Sequence, residues 1–267
     1  MDNAYFALID TSADGDTYAA QHATEGPWAV GLQHGGPPNA LLVHTAEQLA
    51  AGQTGRADLR ALRLAADFQR PVPVGDVTVT ARVVRAARTV VLVDAAISAQ
   101  GRECLTGRVW LVRTADTATI EPERVDLPGP PDGLAGVGAD FPYGTSIEWR
   151  SVHGGLYEPG PALVWARPRI PVVEGFPLST LQRAALIGDS ASGVSAELDW
   201  RAWSFLNIDL DVHVAREMRG DWLLMDAITT LSATGAGLAR SSLSDTGGAL
   251  GTTAQTLVVE KRSTADA

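Results

Sequence analysis

The chain has 267 residues, 45% of them hydrophobic, which is enough for a sizeable core in one large or two medium domains. Its formal net charge of −10 argues against nucleic-acid binding, because phosphate contacts need clustered Lys and Arg. The single cysteine, Cys104, excludes an internal disulfide. No apolar run approaches the roughly 20 residues of a membrane helix, and the N-terminus lacks the features of a signal peptide. We therefore expect a cytoplasmic protein without membrane contact.

The first half of the chain predicts a strand, a helix and four further strands. Residues 28–32 form the first strand candidate. Pro37 and Pro38 stand where a first helical turn tolerates proline, and Leu41, Leu42, Thr45 and Leu49 then follow at helical spacing. Alternating apolar residues indicate a strand that ends at Phe68, and short turns then separate the remaining strands. These remaining strands are predicted at 77–84, 90–97 and 105–112.

A stretch rich in Pro, Gly, Asp and Ala, residues 114–144, separates this half from a second one. Two strand candidates, 146–152 and 163–169, follow it as a hairpin. We predict an N-terminal half at 1–125, a linker at 126–144 and a C-terminal half at 145–267.

The second half repeats the first at a distance of 146 residues. Pro177 precedes an amphipathic helix pattern that runs to Ile187, and the alternation at 208–214 matches the strand that ends at Phe68. Further strands are predicted at 222–230, 235–243 and 252–259. Each copy is then a sheet curled around one helix, an α+β architecture.

Several short motifs, in this order and spacing, resemble the double-hotdog acyl-CoA thioesterases, in particular their actinobacterial branch. The resemblance covers nearly the whole chain and rests on residues 34–41 (HGGPPNAL), 68–75 (FQRPVPVG), 148–150 (EWR), 164–169 (VWARPR), 189–190 (DS), 207–210 (NIDL) and 254–255 (AQ). It implies a double hotdog fold: two antiparallel sheets, each wrapped around one long helix. It also implies hydrolysis of acyl-CoA without a cofactor.

The same resemblance implies three catalytic residues in the second half. Such thioesterases hold a water with an Asp at the end of the second helix, a Thr or Asn on the next strand and a Gln on the last strand. By position these residues are Asp189, Asn207 and Gln255.

The residue types suit that chemistry. A carboxylate such as Asp189 can act as general base, and the amides of Asn207 and Gln255 can orient a water. The first copy has Ala61 and Val109 at the positions that match these amides, which favours one site per chain.

The start of the first helix is the predicted substrate-binding segment. His34 lies where it can touch a ligand, and Gly35 and Gly36 let a ligand approach the backbone N–H groups of the helix N-terminus.

Other functions remain open at this point. Ser190 lies in a Gly-Asp-Ser sequence that is superficially like that of serine hydrolases, but it follows a helix instead of a strand. Asp209, Asp211 and His213 share one strand face, which is more typical of a solvated surface than of a metal site, so no metal is expected. A non-hydrolytic acyl-thioester binder and a dehydratase-like hotdog protein are the main alternatives; the latter needs a His beside an acid, and none is expected near Asp189. A homodimer is the expected assembly.

Overall fold

The computed structural model describes residues 2–117, 119–120, 127–129 and 131–262. The first half begins with a hairpin, continues with one helix and ends with four strands. Its elements are β1 (Phe6–Ser12), β2 (Gly15–Ala20), α1 (Gly36–Thr54), β3 (Leu59–Phe68), β4 (Asp76–Ala86), β5 (Val90–Ala99) and β6 (Arg102–Arg113).

The second half follows the same order, with extra short helices and one divided strand. Its elements are α2 (Pro142–Thr145), β7 (Ile147–Gly155), β8 (Glu158–Pro168), α3 (Thr180–Gly188), α4 (Ala191–Val194), β9 (Trp203–Asn207), β10 (Asp209–Val214), β11 (Leu223–Leu231), β12 (Ala236–Asp245) and β13 (Gly248–Lys261). The strands predicted after each helix are therefore confirmed. The prediction succeeds because these strands bury alternate residues, as their sequence patterns indicate.

All named strands join one antiparallel sheet in the order β1-β2-β4-β5-β6-β3-β10-β13-β12-β11-β8-β7, and β9 also pairs with β13. The predicted α+β double hotdog is confirmed. The two sheets are continuous, however, because β3 of one half pairs with β10 of the other, from Asp67 opposite Asp209 to Arg63 opposite His213.

The helices lie inside this curved sheet and pack against each other. Residues 40–43 of α1 are fully buried, as expected for a helix that the sheet surrounds. The second helix, predicted after Pro177 and up to Ile187, is α3: it has nine residues, starts after the capping residue Ser179 and ends at Gly188, and it is shorter than the 19-residue α1. Polar residues follow directly, and the chain turns before α4.

The strand predicted at 28–32 is also wrong. This segment forms turns, with a left-handed Gly31 at φ 77°, and only an isolated bridge joins Leu32 to Pro73. The hairpin of β1 and β2 takes the expected place of that strand in the fold. Its sequence gives little signal, because every β1 residue after Phe6 is exposed.

The domain boundaries stay a prediction, and the first residue of the predicted linker, 126, lies outside the described residues. The later part of that segment contacts the second half: the Val137 N–H donates to the Trp149 carbonyl at 3.1 Å.

Candidate active site

Asp189 caps the C-terminal end of α3, where the helix stops against β13. Asp189 is only 4% exposed, so its carboxylate needs protein partners or a ligand. A Cβ on the preceding Gly188 would lie 2.6 Å from Cγ2 of Thr253, so glycine allows this close approach of helix and strand.

Both predicted amides reach Asp189. Asn207, the last residue of β9, donates from Nδ2 to Oδ1 of Asp189 at 2.9 Å. Gln255, on β13, donates from Nε2 to the Asp189 carbonyl at 3.0 Å and approaches Oδ1 at 3.4 Å. The three residues predicted from the sequence therefore form one cluster.

A histidine also lies beside this carboxylate, contrary to the sequence prediction that none would. Nδ1 of His34 lies 3.0 Å from Oδ2 of Asp189. The same Nδ1 lies 3.1 Å from the Gly36 N–H, which can donate only to an unprotonated nitrogen. Nδ1 of His34 thus contacts both the Asp189 carboxylate and the backbone of Gly36, so the histidine and the carboxylate are direct neighbours.

The two glycines before α1 have different surroundings. A Cβ on Gly35 would lie 2.7 Å from both carboxylate oxygens of Asp189, so only glycine leaves room for them. A Cβ on Gly36 would lie 2.3 Å from the Leu186 carbonyl oxygen, so glycine at this position lets α1 approach α3 closely.

Tyr143 supports the site from a segment that the sequence assigned to the linker. Its ring stacks on His34 at 3.8 Å between centroids, and its hydroxyl donates to the Leu186 carbonyl at 2.6 Å. Burial holds the pKa of Tyr143 well above its ordinary value, so the hydroxyl stays neutral. The hydroxyl also lies 3.0 Å from Oγ of Ser190, which leaves that serine inside a structural network.

An apolar pocket of about 380 Å³ opens above the cluster. Asp189, Asn207, His34 and Gly35 line it, whereas Gln255 is fully buried behind Asp189 and Gly36 lies outside the lining. Most of the wall is aromatic or aliphatic, including Trp28, Phe68, Phe141, Trp149, Trp200, Phe205, Leu206 and Ile208. The sequence alone does not bring these residues together in one pocket, because they come from loops and strands of both halves.

The strand face suggested as an unlikely metal site carries other interactions. Asp211 pairs with Arg63 at 3.3 Å, and Asp209 accepts a hydrogen bond from Oγ1 of Thr256 at 3.1 Å. Within the described ranges, no group of three or more His, Cys, Asp or Glu side chains could hold a metal ion. Over the same ranges, no helix is both long and apolar enough to cross a membrane.

The fold is shared with several solved structures. An acyl-CoA thioesterase II from Mycobacterium marinum superposes with a TM-score of 0.68 at 17% identity, over 96% of each chain. A candidate thioesterase from Novosphingobium aromaticivorans gives 0.70 at 22% identity, over 95% of this chain and 98% of that one. A protein of unknown function with a hot dog fold, from Alicyclobacillus acidocaldarius, gives 0.71 at 17% identity, over 94% and 95%. At these identities the likeness shows the fold alone.

Comparison with curated protein sequences gives no match. The family models, in contrast, match most of the chain. Residues 24–112 match the acyl-CoA thioesterase N-terminal domain, and residues 116–259 match the acyl-CoA thioesterase C-terminal domain. Together with the double hotdog fold, these two matches place the chain in the acyl-CoA thioesterase family.

Proposed function

We propose that this protein hydrolyses acyl-CoA thioesters with a water activated by Asp189. The observation that carries the proposal is the nearly buried carboxylate of Asp189 at the base of an apolar pocket, held by amides from two strands. A carboxylate in this position can accept a proton from a water that attacks a substrate carbonyl.

The reaction follows from these positions. A water in the pocket, against Asp189 and Asn207, loses a proton to the carboxylate, and its oxygen forms a bond to the thioester carbon. The tetrahedral intermediate collapses, the carbon–sulfur bond breaks, and the sulfur takes up the proton, which gives a free acid and a thiol. Gln255 keeps the carboxylate in place from behind, since it is fully buried.

The pocket suits the substrate on both sides of the reacting carbon. Its apolar wall can receive the acyl chain, and Gly35 allows the thioester to approach the start of α1, where the backbone N–H favours a developing oxyanion. His34 lines the same corner and can contact the substrate. This reaction requires no cofactor.

The test is the release of free thiol from acyl-CoA substrates of increasing chain length. We expect Asp189→Asn to lower kcat by about 10²- to 10⁴-fold, the usual contribution of a general base. Asp211→Asn is the matched control, because Asp211 is partly exposed on β10, where it pairs with Arg63. Equal rates in wild type and Asp189→Asn would refute the assignment of the base.

Gln255 can be tested separately as a positioning residue. Gln255→Leu removes both hydrogen bonds to Asp189 and also removes the Oε1 atom, which is buried with no partner among the described atoms. We expect stability close to that of wild type with a reduced kcat and little change in KM. A normal kcat in a folded Gln255→Leu protein would contradict this role.

The contact between His34 and Asp189 favours one second candidate, a hydratase-like reaction on an enoyl thioester. A histidine beside a carboxylate is an acid–base pair of the kind that can add water across a double bond. With an enoyl-CoA substrate, loss of the enoyl absorbance without thiol release would indicate this reaction, and thiol release would indicate hydrolysis. Neither reaction with any substrate would favour a non-hydrolytic binder.

We also propose that the protein is a homodimer and that it is located in the cytoplasm. The edge strand β1 carries two apolar side chains, Leu8 and Ile9, that are 53% and 54% exposed, and a second copy would cover them. Light scattering of the purified protein tests the dimer, and fractionation of the producing cells tests the location.

A further inference from the structure

A second cavity, of about 520 Å³, lies at the counterpart of the active-site pocket in the other half. The active-site pocket is bounded by the turn between β7 and β8, by the end of α3 and by the segment before α1. The second cavity is bounded by the turn between β1 and β2, by the later part of α1 and by the segment before α3. The two halves of the duplicated fold therefore each contain a cleft, bounded by corresponding elements.

The second cleft does not repeat the chemistry of the first. The repeat places Ala61 and Val109 where the active site has its two amides, and both are buried core residues. The charged groups along the second cleft are Asp14 and Asp16, and no Lys or Arg occurs among the described residues that line it. An anionic ligand such as CoA would be repelled there.

A buried histidine in this cleft lacks a hydrogen-bond partner. His44 is 3% exposed and lines the cavity, and its Nδ1 has no partner among the described atoms. An unsatisfied buried nitrogen costs folding free energy, so such a group is often matched by a ligand donor. Burial lowers the pKa of His44 to about 4, although Asp16 opposes this shift, and the neutral ring does not repel a cation.

The rest of the lining is mixed: Ser12, Thr45, Gln48, Gln53 and Thr80 are polar, and the other part is mainly apolar. Phe176 packs edge-on against the His44 ring at 4.9 Å between centroids, and Leu8, Val79 and Val173 extend this surface. The cleft thus combines an acidic rim, a buried histidine nitrogen without a partner among the described atoms and an apolar patch. A ligand that fits all three has a positive charge with N–H donors and a hydrophobic body.

We propose that this second cleft binds a small organic ammonium compound with an apolar body. The ammonium group lies against Asp16 and Asp14, one of its N–H groups donates to His44, and the apolar body packs on Phe176 and its neighbours. This site is separate from the thioesterase pocket and does not depend on the reaction proposed for it.

The experiment compares two probes of similar shape and opposite charge by isothermal titration calorimetry. The probes are 2-phenylethylamine and 3-phenylpropionate. We expect the amine to bind at least about tenfold more tightly than the acid, which corresponds to one favourable ionic contact that the acid lacks. Equal affinity for both probes, or no amine binding at millimolar concentration, would overturn the proposal.

Two variants locate the binding. Asp16→Asn removes the charge and is compared with Asp10→Asn, since Asp10 does not line the cleft. Gly52→Leu fills the cleft from α1, where a Cβ meets no atom within 4 Å and where leucine favours the helix more than glycine. We expect about tenfold weaker amine binding in Asp16→Asn and loss of binding in Gly52→Leu. Wild-type affinity in both variants would place the amine elsewhere and refute the site.

Discussion

Glu47 makes the stability of the helix pair depend on pH. It lies on α1, is partly buried and accepts a hydrogen bond from Nε2 of Gln182 on α3 at 2.6 Å. Burial raises the pKa of Glu47 from 4.5 to about 7; hydrogen bonds from Ser179 and Gln182 only partly oppose this effect. The ionised carboxylate is therefore less favourable in the folded protein than in the unfolded chain.

The sign of the pH dependence follows from this difference. Below pH 4.5 the carboxyl group is protonated in both states, so the folded protein keeps the full stability. As the pH rises towards 7, the unfolded chain releases its proton first, and the free energy of unfolding falls. A shift of this size corresponds to at most about 3 kcal/mol, and partial exposure to solvent reduces the expected loss to about 1 to 3 kcal/mol.

Glu47→Gln tests this explanation, because glutamine keeps an acceptor for Gln182 and cannot ionise. We expect the gain of the variant relative to wild type to grow as the pH rises from about 4.5 to 7 and to level off above pH 7 at about 1 to 3 kcal/mol. Urea unfolding at each pH measures the difference, and Glu260→Gln on the exposed end of β13 is the control. A difference between Glu47→Gln and wild type that stays constant with pH would refute the explanation.

Two further variants test contacts away from the reacting atoms. Asp245→Asn should lower the free energy of unfolding by about 2 to 4 kcal/mol at neutral pH, because Asp245 is fully buried and accepts two hydrogen bonds from Arg216 at 2.6 and 2.7 Å. Burial raises the pKa of Asp245, but the hydrogen bonds that it accepts hold the pKa below its ordinary value. The difference in stability between wild type and Asp245→Asn should therefore shrink as the pH falls through the pKa of the folded protein, and urea unfolding can measure it. Tyr143→Phe should cost about 1 kcal/mol through its lost hydrogen bond to Leu186 while the stacking on His34 remains; an unchanged midpoint in urea would contradict it.

The internal repeat, whose two copies are 146 residues apart, is the most informative signal in the sequence. Strands with one buried face alternate visibly, so β4, β5 and β6 and their counterparts β11, β12 and β13 could be placed within a few residues. The hairpin of β1 and β2 could not, since β1 buries almost nothing and its alternation is lost. The pairing of β3 with β10 joins the two copies and has no local signature in either strand.

The candidate site divides in the same way. Asp189, Asn207 and Gln255 could be predicted because their positions, at the end of a helix and on two later strands, match those implied by the resemblance to double-hotdog acyl-CoA thioesterases. The contact of His34 with Asp189 could not, because it depends on how α1 and α3 pack against each other. The glycine pair before α1 was visible in the sequence, but its reason was not: Gly35 leaves room for the carboxylate, and Gly36 lets the helices approach.

The length of α3 explains why the first half has no counterpart of the cluster formed by Asp189, Asn207 and Gln255. α3 ends at Gly188, so the chain turns and directs Asp189 towards Asn207 and Gln255, whereas α1 continues for several turns past the corresponding region. The close approach of Gly188 to β13 is therefore a condition for the site. A side chain at this position should push the helix end away from the strand that carries Gln255.

Gly188→Ala tests that condition, and the chain offers its own rescue. The new Cβ would lie 2.6 Å from Cγ2 of Thr253, which must move or displace the helix end. A displacement of Asp189 near 1 Å should lower kcat for thioester hydrolysis by about ten- to a hundredfold. Thr253→Ser deletes Cγ2 and keeps the hydroxyl that lies 2.6 Å from Oγ of Ser241. The double variant should recover most of the wild-type kcat, and failure of that recovery in a folded protein would mean that contact with Thr253 does not position Asp189.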